Sequence, residues 1–150
     1  MPNLRILPTP EDNERNTMDT KWIDFQKHGD DRGSLVVAEY EKEIPFPVKR
    51  IYYIYGVSDD KRRGFHSHKN LRQVYIAIHG SLKVMLDDGQ KQEIVLLNDP
   101  AQGLYIGHNV WREIYDFSAD AVLLVLASET FSESDYIRKY DDFLTSLKEN

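Results

Sequence analysis

Between Trp22 and Ala127 the chain is a succession of short apolar runs, each cut off by turn residues before a helix can form. Lys49 to Tyr55, Lys-Arg-Ile-Tyr-Tyr-Ile-Tyr, concentrates the β-branched and aromatic residues that suit a pleated, half-buried strand. Leu35 to Ala38 follows the turn Asp30-Asp31-Arg32-Gly33 and reads as another strand. Gln73 to Ile78, Ser81 to Leu86, Glu93 to Leu97, Leu104 to Ile106, Trp111 to Phe117 and Ala121 to Ala127 continue the series. Asp87-Asp88-Gly89 sits between two of these runs as a hairpin signal. Many short strands at regular spacing predict a mainly β protein, a small barrel or jelly roll.

The two ends depart from this pattern. Ser134 to Leu147 places Tyr136, Ile137, Tyr140, Phe143, Leu144 and Leu147 at helical spacing and predicts a C-terminal helix capped by Ser132 or Ser134. Residues 1–20 are polar, proline-bearing and aperiodic, and read as a flexible extension. That leaves 21–150 as a single domain, large enough for a full core.

A net charge of −6 argues against general nucleic-acid binding. The absence of cysteine excludes disulfides and cysteine zinc sites. No apolar run approaches the ~18–20 residues of a membrane span, and Met1 to Thr20 lacks the apolar core of a secretory leader. The expectation is a cytoplasmic protein without membrane or nucleic-acid partners.

Gly64-Phe65-His66-Ser67-His68, followed by Gln73 and Gly80, has the spacing of the first cupin signature. Ile106-Gly107-His108-Asn109-Val110-Trp111-Arg112 resembles the second, with Asn109 at a position that usually holds Gly. Asn tolerates the left-handed conformation better than most residues. A metal-binding cupin carries Glu where this chain has Gln73, and His where it has Arg112. Arginine is a permanent cation with only donors and ligates no metal. Two histidines at i, i+2 on a strand face the same side. Three readings compete: hydrogen-bonded structural histidines, a metal site, and an acid–base pair working near neutral pH. Gln73 and Arg112 favour the acid–base pair over the metal. Alternation turns one of Tyr52 and Tyr53 inward, where its hydroxyl serves a carbonyl oxygen or fills the core. Lys61, Arg62, Arg63, Lys69 and Arg72 crowd the same region and suit an anionic ligand. Arg112, turned inward, calls for an anion or a carboxylate as partner.

Most of the chain resembles the dTDP-4-keto-6-deoxyglucose 3,4-ketoisomerases, the WxcM-like cupin sugar isomerases. The resemblance is carried by Asp31-Arg32-Gly33-Ser34-Leu35, Lys49-Arg50-Ile51-Tyr52-Tyr53-Ile54, Arg63-Gly64-Phe65-His66-Ser67-His68-Lys69, Val110-Trp111-Arg112-Glu113 and Ser134-Asp135-Tyr136-Ile137-Arg138. It implies a homodimeric cupin-type jelly-roll β-barrel with a C-terminal helix. It implies conversion of a dTDP-linked 4-keto-6-deoxy sugar to the 3-keto isomer without metal or other cofactor, in deoxyamino-sugar biosynthesis for surface polysaccharide such as the O-antigen of lipopolysaccharide. By the same resemblance His66 is the base, with Tyr52 and His68 beside it. Arg32, Arg50, Arg63, Lys69, Gln73 and Arg112 bind substrate, and the positions of Arg32 and Arg112 accompany the configuration at C4. The alternatives are a non-catalytic nucleotide-sugar-binding module and a metal-dependent cupin enzyme.

Overall fold

The computed structural model describes residues 18–58 and 60–149. In chain order the strands are β1 (Thr20–Asp24), β2 (Lys27–Asp30), β3 (Gly33–Val36), β4 (Arg50–Tyr55), β5 (Arg63–His68), β6 (Gln73–His79), β7 (Leu82–Asp87), β8 (Gln92–Leu97), β9 (Gln102–Ile106), β10 (Trp111–Tyr115), β11 (Val122–Ala127) and β12 (Tyr136–Ile137), with a helix α1 (Tyr140–Lys148) at the end. Two five-stranded antiparallel sheets form, in the orders β1-β9-β6-β11-β4 and β12-β5-β10-β7-β8, and β2 pairs with β3 as a separate hairpin. The two large sheets do not pair with each other, so the jelly roll stays open at its edges.

Period-two alternation sorts the side chains into layers. Tyr75, Ala77, Leu104, Leu123 and Val125 from the first sheet meet Val84, Leu86, Val95 and Ile114 from the second in a shared buried core. The opposite side of the first sheet presents Val74, Ile76 and Leu126, covered by Phe25, Ile44 and Phe46. The opposite side of the second presents Met85, Ile94 and Trp111, covered by Phe143 of α1. On β4 the alternation turns Arg50, Tyr52 and Ile54 inward and leaves Ile51, Tyr53 and Tyr55 exposed. The β7–β8 hairpin forms as its turn signal predicts, pairing Leu82 with Leu97 and Asp87 with Gln92. Asn109 adopts a φ of 61°, the left-handed conformation expected there.

Three expectations are corrected. The run predicted as one helix from Ser134 divides into a single 3-10 turn (Glu133–Asp135), the short strand β12 and a helix starting only at Tyr140. Neither Ser132 nor Ser134 caps that helix; Lys139 stands at its N-cap without a side-chain bond. Tyr136 and Ile137 pair with His68 and Ser67, because the edge of β5 offers backbone partners that a continued helix would leave unmet. The strand expected over Leu35 to Ala38 lies at Gly33–Val36, in register with β2. At the N-terminus Met18 is buried in the core and β1 begins at Thr20, so the fold takes hold inside the stretch read as an extension. Residues 1–17 of that stretch lie outside the described residues.

Candidate active site

A pocket of about 300 Å³ opens between the sheets, lined by Arg50, Tyr52 and Ile54 of β4, Arg63, Gly64 and His66 of β5, Tyr75, Ile114, Leu123, Tyr136 and Arg138. A wider hollow of about 550 Å³ lies along the β2–β3 hairpin but is formed by exposed residues from His28 to Leu35. Catalysis is better served by the first, where titratable groups are shielded from water.

The backbone of β5 arranges the base. In a regular strand Arg63 and His66 would face opposite sides. A bulge intervenes: β10 pairs Arg112 with His66 but the next residue, Glu113, with Gly64. Gly64 and Phe65 take φ values of 92° and 57°. The extra residue resets the alternation, so Arg63 opposite Ile114 and His66 opposite Arg112 both turn inward. Glycine is required at the bulge, since a Cβ on Gly64 would lie 2.9 Å from the Arg112 carbonyl oxygen.

His66 and His68 share one side of β5, as their spacing predicts, with ring centroids 4.7 Å apart and edge to face. Tyr136 packs against both, at 5.2 Å from His66 and 4.4 Å from His68. Nε2 of each imidazole is buried and has no hydrogen-bond partner among the described residues. His68 Nδ1 lies 3.0 Å from Asp135 Oδ2. Burial, reinforced by the Arg112 guanidinium, pushes His66 down to about 3; a hydrogen bond to the Gly64 backbone opposes this only in part. Burial and Arg112 push His68 down likewise. Both rings are therefore neutral near pH 7.

Beneath Tyr52 runs a chain of donors. Arg112 Nη1 donates to Gln73 Oε1 at 2.8 Å, and Gln73 Nε2 donates to the Tyr52 hydroxyl oxygen at 2.9 Å. Arginine has no acceptor, so the carboxamide orientation is fixed by its neighbour. Tyr52 receives a hydrogen bond from Gln73, and its hydroxyl also meets that of Tyr75. Burial, then Tyr75, pushes that phenol above its ordinary range, so it stays neutral.

The expected residues separate into groups. His66, Tyr52, Arg50 and Arg63 meet at the pocket wall. His68, Gln73 and Arg112 are almost fully buried and lie outside that wall. Gln73 and Arg112, expected to touch substrate, instead hold Tyr52 from behind. Arg112 was expected to meet an anion or carboxylate; its Nη1 donates to the Gln73 amide oxygen and Tyr75 lies beside it, while Nε and Nη2 are buried without a hydrogen-bond partner among the described residues. Arg32 sits on the β2–β3 turn, 87% exposed and paired to Asp30 at 2.6 Å. Lys69 is exposed and enters the structure through its backbone N–H, which donates to the Asp135 carbonyl. Neither reaches the pocket of this chain. Tyr136 and Arg138 were not singled out as site residues, although their stretch carries part of the family resemblance. Arg138 is 4.1 Å from the Tyr136 ring centroid and ion-paired to Glu133 at 2.6 Å.

The same contacts bear on a metal. Gln73 Oε1, the one oxygen its side chain could offer, accepts from Arg112, and a guanidinium occupies the next position. Among the described residues no cluster of three or more His, Cys, Asp or Glu side chains could hold an ion. The residues do not fit a metal centre. Among the same residues no helix is long and apolar enough to cross a membrane.

The chain is 51% identical over 126 residues to the TDP-4-oxo-6-deoxy-α-D-glucose-3,4-oxoisomerase of Aneurinibacillus thermoaerophilus, covering 84% of this chain and 91% of that one. A 3,4-ketoisomerase structure from Helicobacter canadensis superimposes with a TM-score of 0.85 at 50% identity, over 87% of this chain and 98% of the other. A His-to-Asn variant of the 3,4-ketoisomerase QdtA from Thermoanaerobacterium thermosaccharolyticum, solved with TDP-4-keto-6-deoxyglucose, gives 0.86 at 46% identity, over 88% and 96%. The family model FdtA, described as WxcM-like, C-terminal, matches residues 18–148, and the chain belongs to that family.

Proposed function

We propose that this chain is a 3,4-ketoisomerase of TDP-4-keto-6-deoxyglucose, interconverting it with the 3-keto isomer. The observation that carries the reading is a neutral imidazole, His66, with a free Nε2 in the same pocket as a neutral phenol donor, Tyr52. The C4 carbonyl acidifies the C3 proton, and His66 Nε2 removes it. The Tyr52 hydroxyl meets the charge that develops on O4. O4 then gains a proton as the O3 hydroxyl loses one, and the proton held by His66 is delivered to C4. Atoms and charge balance with no redox partner. Arg50, Arg63 and Arg138 suit the diphosphate, and binding there orients the sugar over His66.

The reading includes a homodimer, supported by Ile51, Tyr53 and Tyr55, which stand exposed on β4 at the edge of its sheet. It also places the reaction in the cytoplasm, in deoxyamino-sugar synthesis for surface polysaccharide such as the O-antigen of lipopolysaccharide.

The test is proton NMR of TDP-4-keto-6-deoxyglucose with chelator-treated protein in deuterated water. A 3-keto product is expected, and deuterium at C4 reports exchange of the base proton with solvent. His66→Asn should lower turnover by about 10²–10⁴-fold, the ordinary contribution of a general base. Near-normal turnover in that folded variant refutes the assignment.

A further inference from the structure

Tyr136 and Arg138 join the pocket wall, which leaves Asp135 beside them without a role. Its carboxylate Oδ1 accepts from the Asn70 N–H at 2.7 Å. Oδ2 accepts from the Leu71 N–H at 3.4 Å and faces His68 Nδ1 at 3.0 Å. Its backbone oxygen accepts from the Lys69 N–H. The backbone bonds close the turn after β5. They do not explain the imidazole. An ionised carboxylate only accepts, so the nitrogen facing it carries the hydrogen and the other carries the lone pair.

We propose that Asp135 is a positioning residue for the proton transfer: it fixes His68 as the Nδ1–H tautomer and supplies the negative charge that balances a proton on His66. The proposal rests on the ketoisomerase reading above. When His66 takes a proton, its charged neighbours are all cations: Arg50 and Arg63 in the wall, Arg112 from β10, and Arg138 after β12. Tyr52, Tyr75 and Tyr136 supply the rest of the polar wall. Arg138 already has Glu133. Asp135 is the carboxylate in contact with the histidine pair, reached from His66 through the His68 ring standing edge to face against it. The reverse tautomer would set the Nδ1 lone pair against the carboxylate and direct an N–H from Nε2 instead. Tyr136, packed on both rings, prevents His68 from turning to relieve that clash.

Asp135→Asn tests this. Its oxygen keeps the Asn70 bond, and its amide nitrogen, giving up the long Leu71 contact, faces His68 and donates to Nδ1, which moves the ring proton to Nε2. The expected result is a kcat lower by about 10–100-fold, the range found when the partner that orients a functional histidine is removed. KM should stay unchanged, because Asp135 is not in the pocket wall. Nitrogen-15 NMR of the imidazoles should show His68 protonated at Nδ1 in the parent and at Nε2 in the variant. A kcat within about twofold of the parent, or a lower kcat with the tautomer unchanged, overturns the proposal. So does a parent spectrum with the proton on Nε2, and that measurement decides even where the variant does not fold. Absence of any 3-keto product from the parent would sink the ketoisomerase reading instead, while the tautomer measurement stands on its own.

Discussion

Mild acid should destabilise this fold through its two inward histidines. An unfolded histidine titrates near 6.5, whereas burial and Arg112 hold His66 at about 3 in the folded chain. Between those values the unfolded chain binds a proton that the folded chain refuses. A depressed folded pKa thus leaves stability intact above about 6.5 and removes it as pH falls towards 3. The slope approaches about 1.4 kcal/mol per pH unit for each such group. From pH 7 to pH 5 it integrates to about 1.9 kcal/mol for His66. His68 is shifted in the same direction by the same causes, which brings the pair to about 4 kcal/mol. That is a large share of the roughly 5–15 kcal/mol that holds a typical domain together. Urea unfolding at both pH values on the parent, His66→Asn and the double variant His66→Asn/His68→Asn measures it. The single variant should lose about 1.9 kcal/mol less than the parent, and the double variant about 4 less. Ordinary carboxylates titrate mostly below this window and cancel in the difference. Parallel losses in all three proteins would show that the fold does not hold these rings neutral, and the electrostatic basis for His66 as a free base would fall with it.

Gln73→Glu keeps the shape of the carboxamide but replaces its donor with an acceptor facing Tyr52; the Tyr52 proton should turn to the carboxylate, and kcat should fall by about 10-fold or more while thermal stability is kept by the new ion pair to Arg112, both read from steady-state kinetics and a melting curve. Gly64→Ala forces a side chain into a φ of 92° against the Arg112 carbonyl, so it should destabilise the fold by about 1–3 kcal/mol in urea unfolding; an unchanged midpoint would mean that β5 does not need its bulge.

Much of this architecture was legible because alternation is a local signal. Ile51, Tyr52 and Tyr53 declare a strand with one tyrosine in and one out, and β4 obeys. The spacing of His66 and His68 puts both rings on one side wherever the strand lies. What stayed hidden depends on partners distant in sequence. The bulge at Gly64–Phe65 exists only relative to the register of β10, so nothing local announces that Arg63 and His66 share a side. Tyr136 and Ile137 fit the apolar period of the helix that follows, and a two-residue strand has no period of its own to compete. Their strand character comes from the unpaired edge of β5. Gln73 and Arg112 face a ligand on the sequence reading because they stand where a metal-binding cupin carries an inward-pointing Glu and His. Across the core Arg112 Nη1 donates to Gln73 Oε1, while its Nε and Nη2 are buried without a hydrogen-bond partner among the described residues.

That pairing bears on how a scaffold with two inward histidines can carry out proton transfer rather than ion binding. With Arg112 donating into Gln73, a cation is already fixed where an ion would sit, and burial, reinforced by its field, keeps the histidines unprotonated. A base held at about 3 is available but weak. On the proposed reading the ligand itself corrects this. A diphosphate set against Arg50, Arg63 and Arg138 brings negative charge to the cation-rich wall and offsets part of the field that depresses His66. The base then strengthens only when a nucleotide sugar is in place. Proton abstraction becomes conditional on the nucleotide, which is the part of the substrate that undergoes no chemistry. Binding energy gathered at the phosphates is thereby converted into basicity at the sugar, and a free keto sugar without them would meet the weaker base.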